Sequence, residues 1–186
     1  MSSGGHVTEG ELTGHRVLLR PLVDDDLDVL SVLASGRGCQ PWWTDPSVTA
    51  LRESLLEAPD TWSWTVLVDT QTAGVVSAYS VGWPPGSALG LAILLGDAWQ
   101  DQGLGPETLS VLIAQLIETR GVRRFVVDPA AANLRAIRAY ESLGFKRIGV
   151  ARQSEPAPDG SWRDCLLMDL LATEFQGRSW GRLRGV

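Results

Sequence analysis

The chain has 186 residues and a mass of 20.1 kDa, with 44% hydrophobic residues, 20% charged residues and a net charge of −6. That length suits one domain with a sizeable core, and the composition excludes global disorder. An acidic surface repels duplex nucleic acid and attracts a cationic substrate, and no apolar stretch nears the roughly 18 residues of a membrane span.

In chain order, residues 1–14 are polar and glycine-rich, lack the basic start and apolar run of a secretory signal, and read as a flexible leader. Residues 16–22 read as a strand that stops near Pro21. Asp24, Asp25 and Asp26 put acids where a helix dipole favours them, and Leu27, Leu30 and Ala34 give that helix a buried face. Residues 35–46 are a loop by Gly and Pro content, yet they hold Trp42 and Trp43 side by side; residues 49–57 form a second short helix. Strands follow at 62–68, 74–81 and 89–95, joined by turn residues suited to antiparallel pairing. Residues 96–105 are a loop, and Pro106 opens a helix whose stripe runs through Leu109, Leu112, Ile113, Leu116 and Ile117 to Gly121. A short strand spans 124–127. Asn133 then caps a helix with Leu134, Ile137 and Tyr140 along one side and Gly144 as its stop. Strands 145–151 and 162–171 close the pattern. The expected organisation is a leader (1–14), one domain (15–175) and a basic tail (176–186) with Arg178, Arg182 and Arg184. The order βααβββαβαββ is that of an α+β fold with a mixed sheet.

The segment Gln100-Asp101-Gln102-Gly103-Leu104-Gly105 lies between a strand and a helix. Its glycines admit close backbone approach, and the helix N-terminus offers free N–H groups to a diphosphate. Alone, the segment also reads as a tight turn. It is not a dinucleotide fingerprint, because Thr108 stands where the third glycine belongs and the strand comes fourth, not first. A second run extends from Asp128-Pro through Asn133, Ala136 and Tyr140 to Gly144-Phe145.

Together the two segments resemble the GNAT superfamily of acyl-CoA-dependent N-acyltransferases. The resemblance implies a mostly antiparallel twisted sheet flanked by helices, whose fourth and fifth strands splay to take acetyl-CoA. On that reading Ile93 and Leu95 offer backbone groups to the pantetheine arm. The N–H groups from Gln100, Asp101, Gln102, Gly103, Leu104 and Gly105 hold the pyrophosphate, and Asn133 and Ala136 line the CoA side. Tyr140, which by its spacing from Ile137 alone is a core tyrosine, becomes the acid that protonates the CoA thiolate. A phenol near pKa 10 suits a thiol near 8.5.

Trp42-Trp43, the run from Asp128 to Phe145 and the Asp159-Gly160 turn further resemble the aminoglycoside 6'-N-acetyltransferases. That likeness implies that Asp128 and Asp159 bind amino groups of the drug by charge-assisted hydrogen bonds. Trp42, Trp43 and Trp83 stand on the acceptor side. The carboxylate base of that family falls on Leu91, and residues 89–95 contain no acid. Asp128 or Asp97 then takes the proton, or the amine arrives neutral. The closing segment around Asp159 and Asp164 also resembles the ribosomal-protein acetyltransferases.

The expected activity is acetyl transfer from acetyl-CoA to a small cationic amine, foremost the 6'-amino group of an aminoglycoside. The alternatives are a protein N-terminus or a metabolic amine, and a non-catalytic acyl-CoA sensor. A cytoplasmic protein without nucleic-acid or membrane partners is expected. So is the absence of a metal, since His6 and His15 lie in or beside the leader and no cluster has ligand spacing. Cys39 and Cys165 form no CxxC pair and read as free thiols.

Overall fold

The computed structural model describes residues 10–82, 87–157 and 159–177; Trp83, residues 1–9 of the expected leader and the tail from residue 178 lie outside them. The elements are β1 (Leu12–Thr13), β2 (Val17–Pro21), α1 (Leu27–Ala34), α2 (Val48–Leu55), β3 (Thr61–Val68), β4 (Gln71–Val81), β5 (Ala88–Leu95), α3 (Leu104–Arg120), β6 (Arg124–Val127), α4 (Leu134–Glu141), β7 (Lys146–Pro156) and β8 (Trp162–Leu171). All eight strands join one sheet in the order β1-β2-β3-β4-β5-β6-β8-β7, antiparallel except at β5–β6. The expected mixed sheet is therefore present. It starts earlier than expected: Leu12 and Thr13, in the stretch read as leader, pair with Leu19 and Leu18 of β2.

Helices cover both faces, which explains why β5 is a continuous apolar run and why β4 is buried without alternation from Ala73 to Ala78. On one face Leu27, Leu30 and Ala34 of α1 and Leu51 and Leu55 of α2 pack on Val75 and Leu94. On the other, α3 and α4 pack on Leu19, Val66, Val76, Leu91 and Phe125. The α3 helix begins two residues before Pro106, which still falls in the first turn, where a missing N–H loses no helix bond. Ser47 and Asn133 cap α2 and α4 by accepting from Ala50 N–H (3.2 Å) and Ala136 N–H (3.1 Å). Ile137 and Tyr140 are buried as expected, but Leu134 is 58% exposed. At about 100° per residue it points roughly 120° away from Tyr140, off the edge of the buried stripe.

Two features open the sheet and shape its cleft. β5 and β6 pair only at Leu89–Phe125 and Gly90–Val126. The chain after β6 then follows β8 instead. Ala130 bridges Cys165, Leu166 N–H donates to Pro129 O (2.8 Å) and Ala131 N–H donates to Asp164 O (2.8 Å). Beyond Gly90, β5 has no partner on that side. The second feature is an arch in β7, which takes four residue steps from Ala151 to Glu155 while β8 takes two from Cys165 to Arg163. Gln153 adopts a positive φ in the arch, and its N–H donates to Asp164 Oδ1 (2.8 Å). Among the described residues no helix is long and apolar enough to cross a membrane, and no three His, Cys, Asp or Glu gather as metal ligands.

Candidate active site

Gly96 N–H donates to Ala73 O (2.9 Å), which sets the phase of the β4–β5 ladder. Bonds are exchanged at Ala73–Gly96, Val75–Leu94 and Ser77–Ala92. The carbonyl of Leu91 and the backbone groups of Ile93 and Leu95 therefore face away from β4, into the opening that β6 has left. The Leu95 carbonyl accepts from Gln100 Nε2 (2.7 Å) and from the Cys39 thiol (3.1 Å). Arg135 donates to Gln100 Oε1 and to Gly38 O, tying the loop before α2 to α4.

A cavity of about 340 Å³ lies between the end of β5, the start of α3 and α4. Ile93, Leu95, Gln100, Asp101, Gly103 and Gly105 line it, and Asn133 and Ala136 form the facing wall. Gly103 turns the chain into α3 at φ +76°, a conformation that a side chain would strain. The first intrahelical bond is Glu107 N–H to Gly103 O, so the N–H groups of Leu104 and Gly105 remain available to an anion. One detail differs from expectation: the Gln100 N–H is already spent on Asp97 O (3.3 Å), and its side chain reaches Leu95 O instead. The Gln102 side chain bonds Ala98 O (2.6 Å) and the Leu104 side chain is in the core, so what these two residues are expected to offer is their backbone N–H alone.

A second cavity of about 440 Å³ adjoins the first across Ile93, Asn133 and Ala136, with Trp42 and Trp43 on the wall of both. Asp128, Tyr140, Tyr79, Leu91, Glu155 and Arg163 complete it. Tyr140 is 6% exposed and lies against Phe145 with ring centroids 5.4 Å apart. Burial, then the neighbouring Tyr79 and Asp128, push its hydroxyl well above the ordinary tyrosine range. Tyr79 is pushed up to about 12 by burial and by the charges of Asp128 and Glu155. Burial in the cleft, followed by repulsion from Glu155, also raises the Asp128 carboxyl. The arrangement sets a carboxylate with raised proton affinity and a protonated phenol around one cavity, next to a donor-rich helix end.

The sequence motifs thus converge, with exceptions. Asp159 lines neither cavity. It sits at the β7–β8 turn, where its Oδ1 accepts from Ser161 N–H (2.9 Å) and Oγ (2.6 Å), because the short Asp-Gly-Ser turn consumes the carboxylate locally. Asp97, the other candidate base, accepts from Gly38 N–H (2.9 Å) and holds a loop. Leu91 does line the second cavity, and no acid replaces it on β5. Trp83 lies outside the described residues. Tyr79, Glu155 and Arg163 were not found from the sequence. A signal existed for Tyr79: Gly90 is its register partner, and a Cβ there would come within 2.3 Å of the Tyr79 ring.

Residues 16–146 match the family model described as the acetyltransferase (GNAT) domain. Over 163 residues the chain is 28% identical to the aminoglycoside N(6')-acetyltransferase type 1 of Klebsiella pneumoniae, covering 77% of this chain and 79% of that one. Over 72 residues it is 42% identical to the ribosomal protein bS18 alanine N-acetyltransferase of Escherichia coli K12, covering 39% of this chain and 47% of that one. The solved structure of AAC(6')-Ib in complex with ribostamycin and coenzyme A is similar at a TM-score of 0.70 and 25% identity, over 88% of this chain and 98% of the other.

Proposed function

The chain belongs to the GNAT acetyltransferases, and we propose that it moves the acetyl group of acetyl-CoA to a primary amine of a small cationic acceptor, foremost the 6'-amino group of an aminoglycoside. The observation that carries this reading is the meeting of the two cavities at Ile93, Asn133 and Ala136, one beside the N–H groups of α3 and the other holding Asp128 and Tyr140.

On this reading the CoA pyrophosphate rests on the start of α3, and the pantetheine arm pairs with the free backbone edge of β5. For the arm to reach Leu95 O, the Gln100 amide must yield. The acceptor enters between Asp128 and the two tryptophans. The neutral nitrogen attacks the thioester carbonyl, the N–C bond forms, the C–S bond breaks and the surplus proton on nitrogen ends on the departing thiolate, after the acceptor ammonium has given its first proton to Asp128. Leu91 cannot take that proton, and Asp97 is committed to its loop. The raised Tyr140 hydroxyl is fully protonated at neutral pH and donates to the departing sulfur. Proton affinity raised above that of a thiol makes complete transfer uphill. Its contribution is a hydrogen bond that strengthens as charge grows on sulfur.

A second reading, acetylation of a protein N-terminus, is favoured by the 42% identity over 72 residues to the bS18 enzyme. Release of CoA thiol from acetyl-CoA across aminoglycosides, polyamines and N-terminal peptides separates the two. Release with 6'-amino but not 6'-hydroxy compounds is expected. Release with peptides alone would replace the sugar by a polypeptide.

A further inference from the structure

Arg163 of β8 and Glu155 of β7 face the acceptor cavity from neighbouring strands. The Arg163 side chain is 14% exposed, and all three of its nitrogens are engaged. Its Nε donates to Glu155 Oε2 (3.0 Å) and Nη2 pairs with Glu155 Oε1 (2.9 Å). Nη2 also donates to Trp42 O (3.2 Å), Nη1 donates to Pro41 O, and the guanidinium lies 5.8 Å from the Trp42 ring centroid. Close by, Thr44 Oγ1 donates to Pro156 O (3.3 Å). The loop carrying both tryptophans is thus bound to the β7–β8 hairpin on one side, while Arg135 and Asp97 bind its Gly38 on the other.

We infer that Glu155 and Arg163 are the positioning pair of the acceptor side: Arg163 holds Trp42 and Trp43 as one wall of the cleft, and Glu155, held in turn by Arg163, adds beside Asp128 the negative charge that favours a cationic acceptor. The pair extends the proposed function and rests on it. An Arg is suited to this work because its planar fork grips a carboxylate and two carbonyls at once, which a lysine cannot do. Its positive charge offsets part of the Glu155 charge, but the guanidinium is drawn to two loop carbonyls and Glu155 is the member of the pair whose field acts on Asp128. The titratable groups that share the cavity with Asp128 are Glu155 from β7, Arg163 from β8, Tyr79 from β4 and Tyr140 from α4, and the buried Cys165 thiol of β8, which donates to Glu155 Oε2 (3.4 Å), also feels the Asp128 charge. Glu155 is the neighbour whose charge most raises Asp128, after burial. An acceptor ammonium entering between the two carboxylates relieves that repulsion, so the geometry rewards a cation over a neutral amine.

The test uses the full chain as wild type, Glu155→Gln and Arg163→Lys. Glu155→Gln is expected to raise KM for the amine at least fivefold and to leave the acetyl-CoA Kd within twofold. It should also move the acid limb of kcat/KM to lower pH, because loss of the Glu155 charge lets Asp128 ionise earlier. Arg163→Lys is expected to raise KM likewise and to make tryptophan emission more open to acrylamide quenching. Unchanged KM in both variants overturns the pair, as does an equal rise in KM and acetyl-CoA Kd, which marks general loosening. Should Arg163→Lys fail to fold, Glu155→Gln decides alone. If the wild type acetylates no amine, the proposed function fails. The pair is then judged by carboxyl NMR titration of Asp128, which must move to lower pH in Glu155→Gln, and a titration that stays put overturns it.

Discussion

Tyr140 combines two demands in one side chain, since it is part of the core and also lines the second cavity. Tyr140→Phe keeps the contact with Phe145, so turnover is expected to fall more than tenfold while acetyl-CoA binding by calorimetry is preserved. Unchanged turnover would remove the phenol from the mechanism. Asp128 separates activity from stability. Its folded-state pKa is raised, so the native chain holds that proton more tightly than the unfolded chain, and ionisation as pH rises through the window above about 3.9 lowers stability. Asp128→Asn is therefore expected to raise KM and lower kcat, yet to melt no lower than wild type at pH 7. A large drop in Tm would make the carboxylate structural. These two residues, with Trp42 and Trp43, were legible because their neighbours in sequence carry the pattern. Glu155 and Arg163 were not, since a strand arch brings them to the cleft and no local spacing encodes it. Asp159 failed for the converse reason: its turn was legible, but not that the turn uses up the carboxylate.

Element boundaries decide where these groups stand. Most were legible from capping and turn chemistry, including Asn133 before α4 and Gly121 after α3. The two-residue β1 is too short to show a period, and α3 starts two residues ahead of Pro106, because a proline marks the first turn of a helix without fixing its first residue. That start carries a prediction. Gly103→Ala puts a Cβ at φ +76°, which costs about 1–2 kcal/mol and turns the first N–H groups of α3 away. The acetyl-CoA Kd is expected to rise at least tenfold, with the stability loss read from urea unfolding. An unchanged Kd would take the pyrophosphate away from this helix end. A second junction joins β2, β3 and the start of α1 through Asp26, which accepts from both Nη atoms of Arg20 (2.7 and 2.6 Å), Thr65 Oγ1 (2.6 Å) and Val23 N–H (3.1 Å). Burial pushes its pKa up, but these bonds outweigh burial and hold it below the usual range. The stability it gives is full above the unfolded value of about 3.9 and is lost as pH falls through the lower folded value. Asp26→Ala leaves Arg20 and Thr65 without their acceptor and is expected to cost about 3 kcal/mol at pH 7. The gap between variant and wild type should narrow under acid, and a constant gap would refute the ionic role.

At the scale of the molecule, the sheet is two halves joined through two residue pairs, Leu89–Phe125 and Gly90–Val126. The strand order was legible from the alternation of elements, whereas the opening was not: it depends on residues 129–131 pairing with β8 in preference to β5. A ligand seated in the opening must replace the missing ladder. Acetyl-CoA at 100 times its Kd stabilises a native state by about 2.7 kcal/mol, or roughly 5–10 °C in Tm for a domain of this size. That gain follows from binding at any site, so its location carries the argument. Hydrogen exchange should slow at the amides of Ile93 and Leu95, which lack a strand partner, and at Leu104 and Gly105, which lack a helix partner. Amides of β3, which is flanked by β2 on one side and β4 on the other, should change little. Protection confined to the first set means that the cosubstrate completes the split sheet. Protection spread evenly over β3, with none added at Ile93 and Leu95, would mean that the opening is a consequence of the β6–β8 path and serves no ligand.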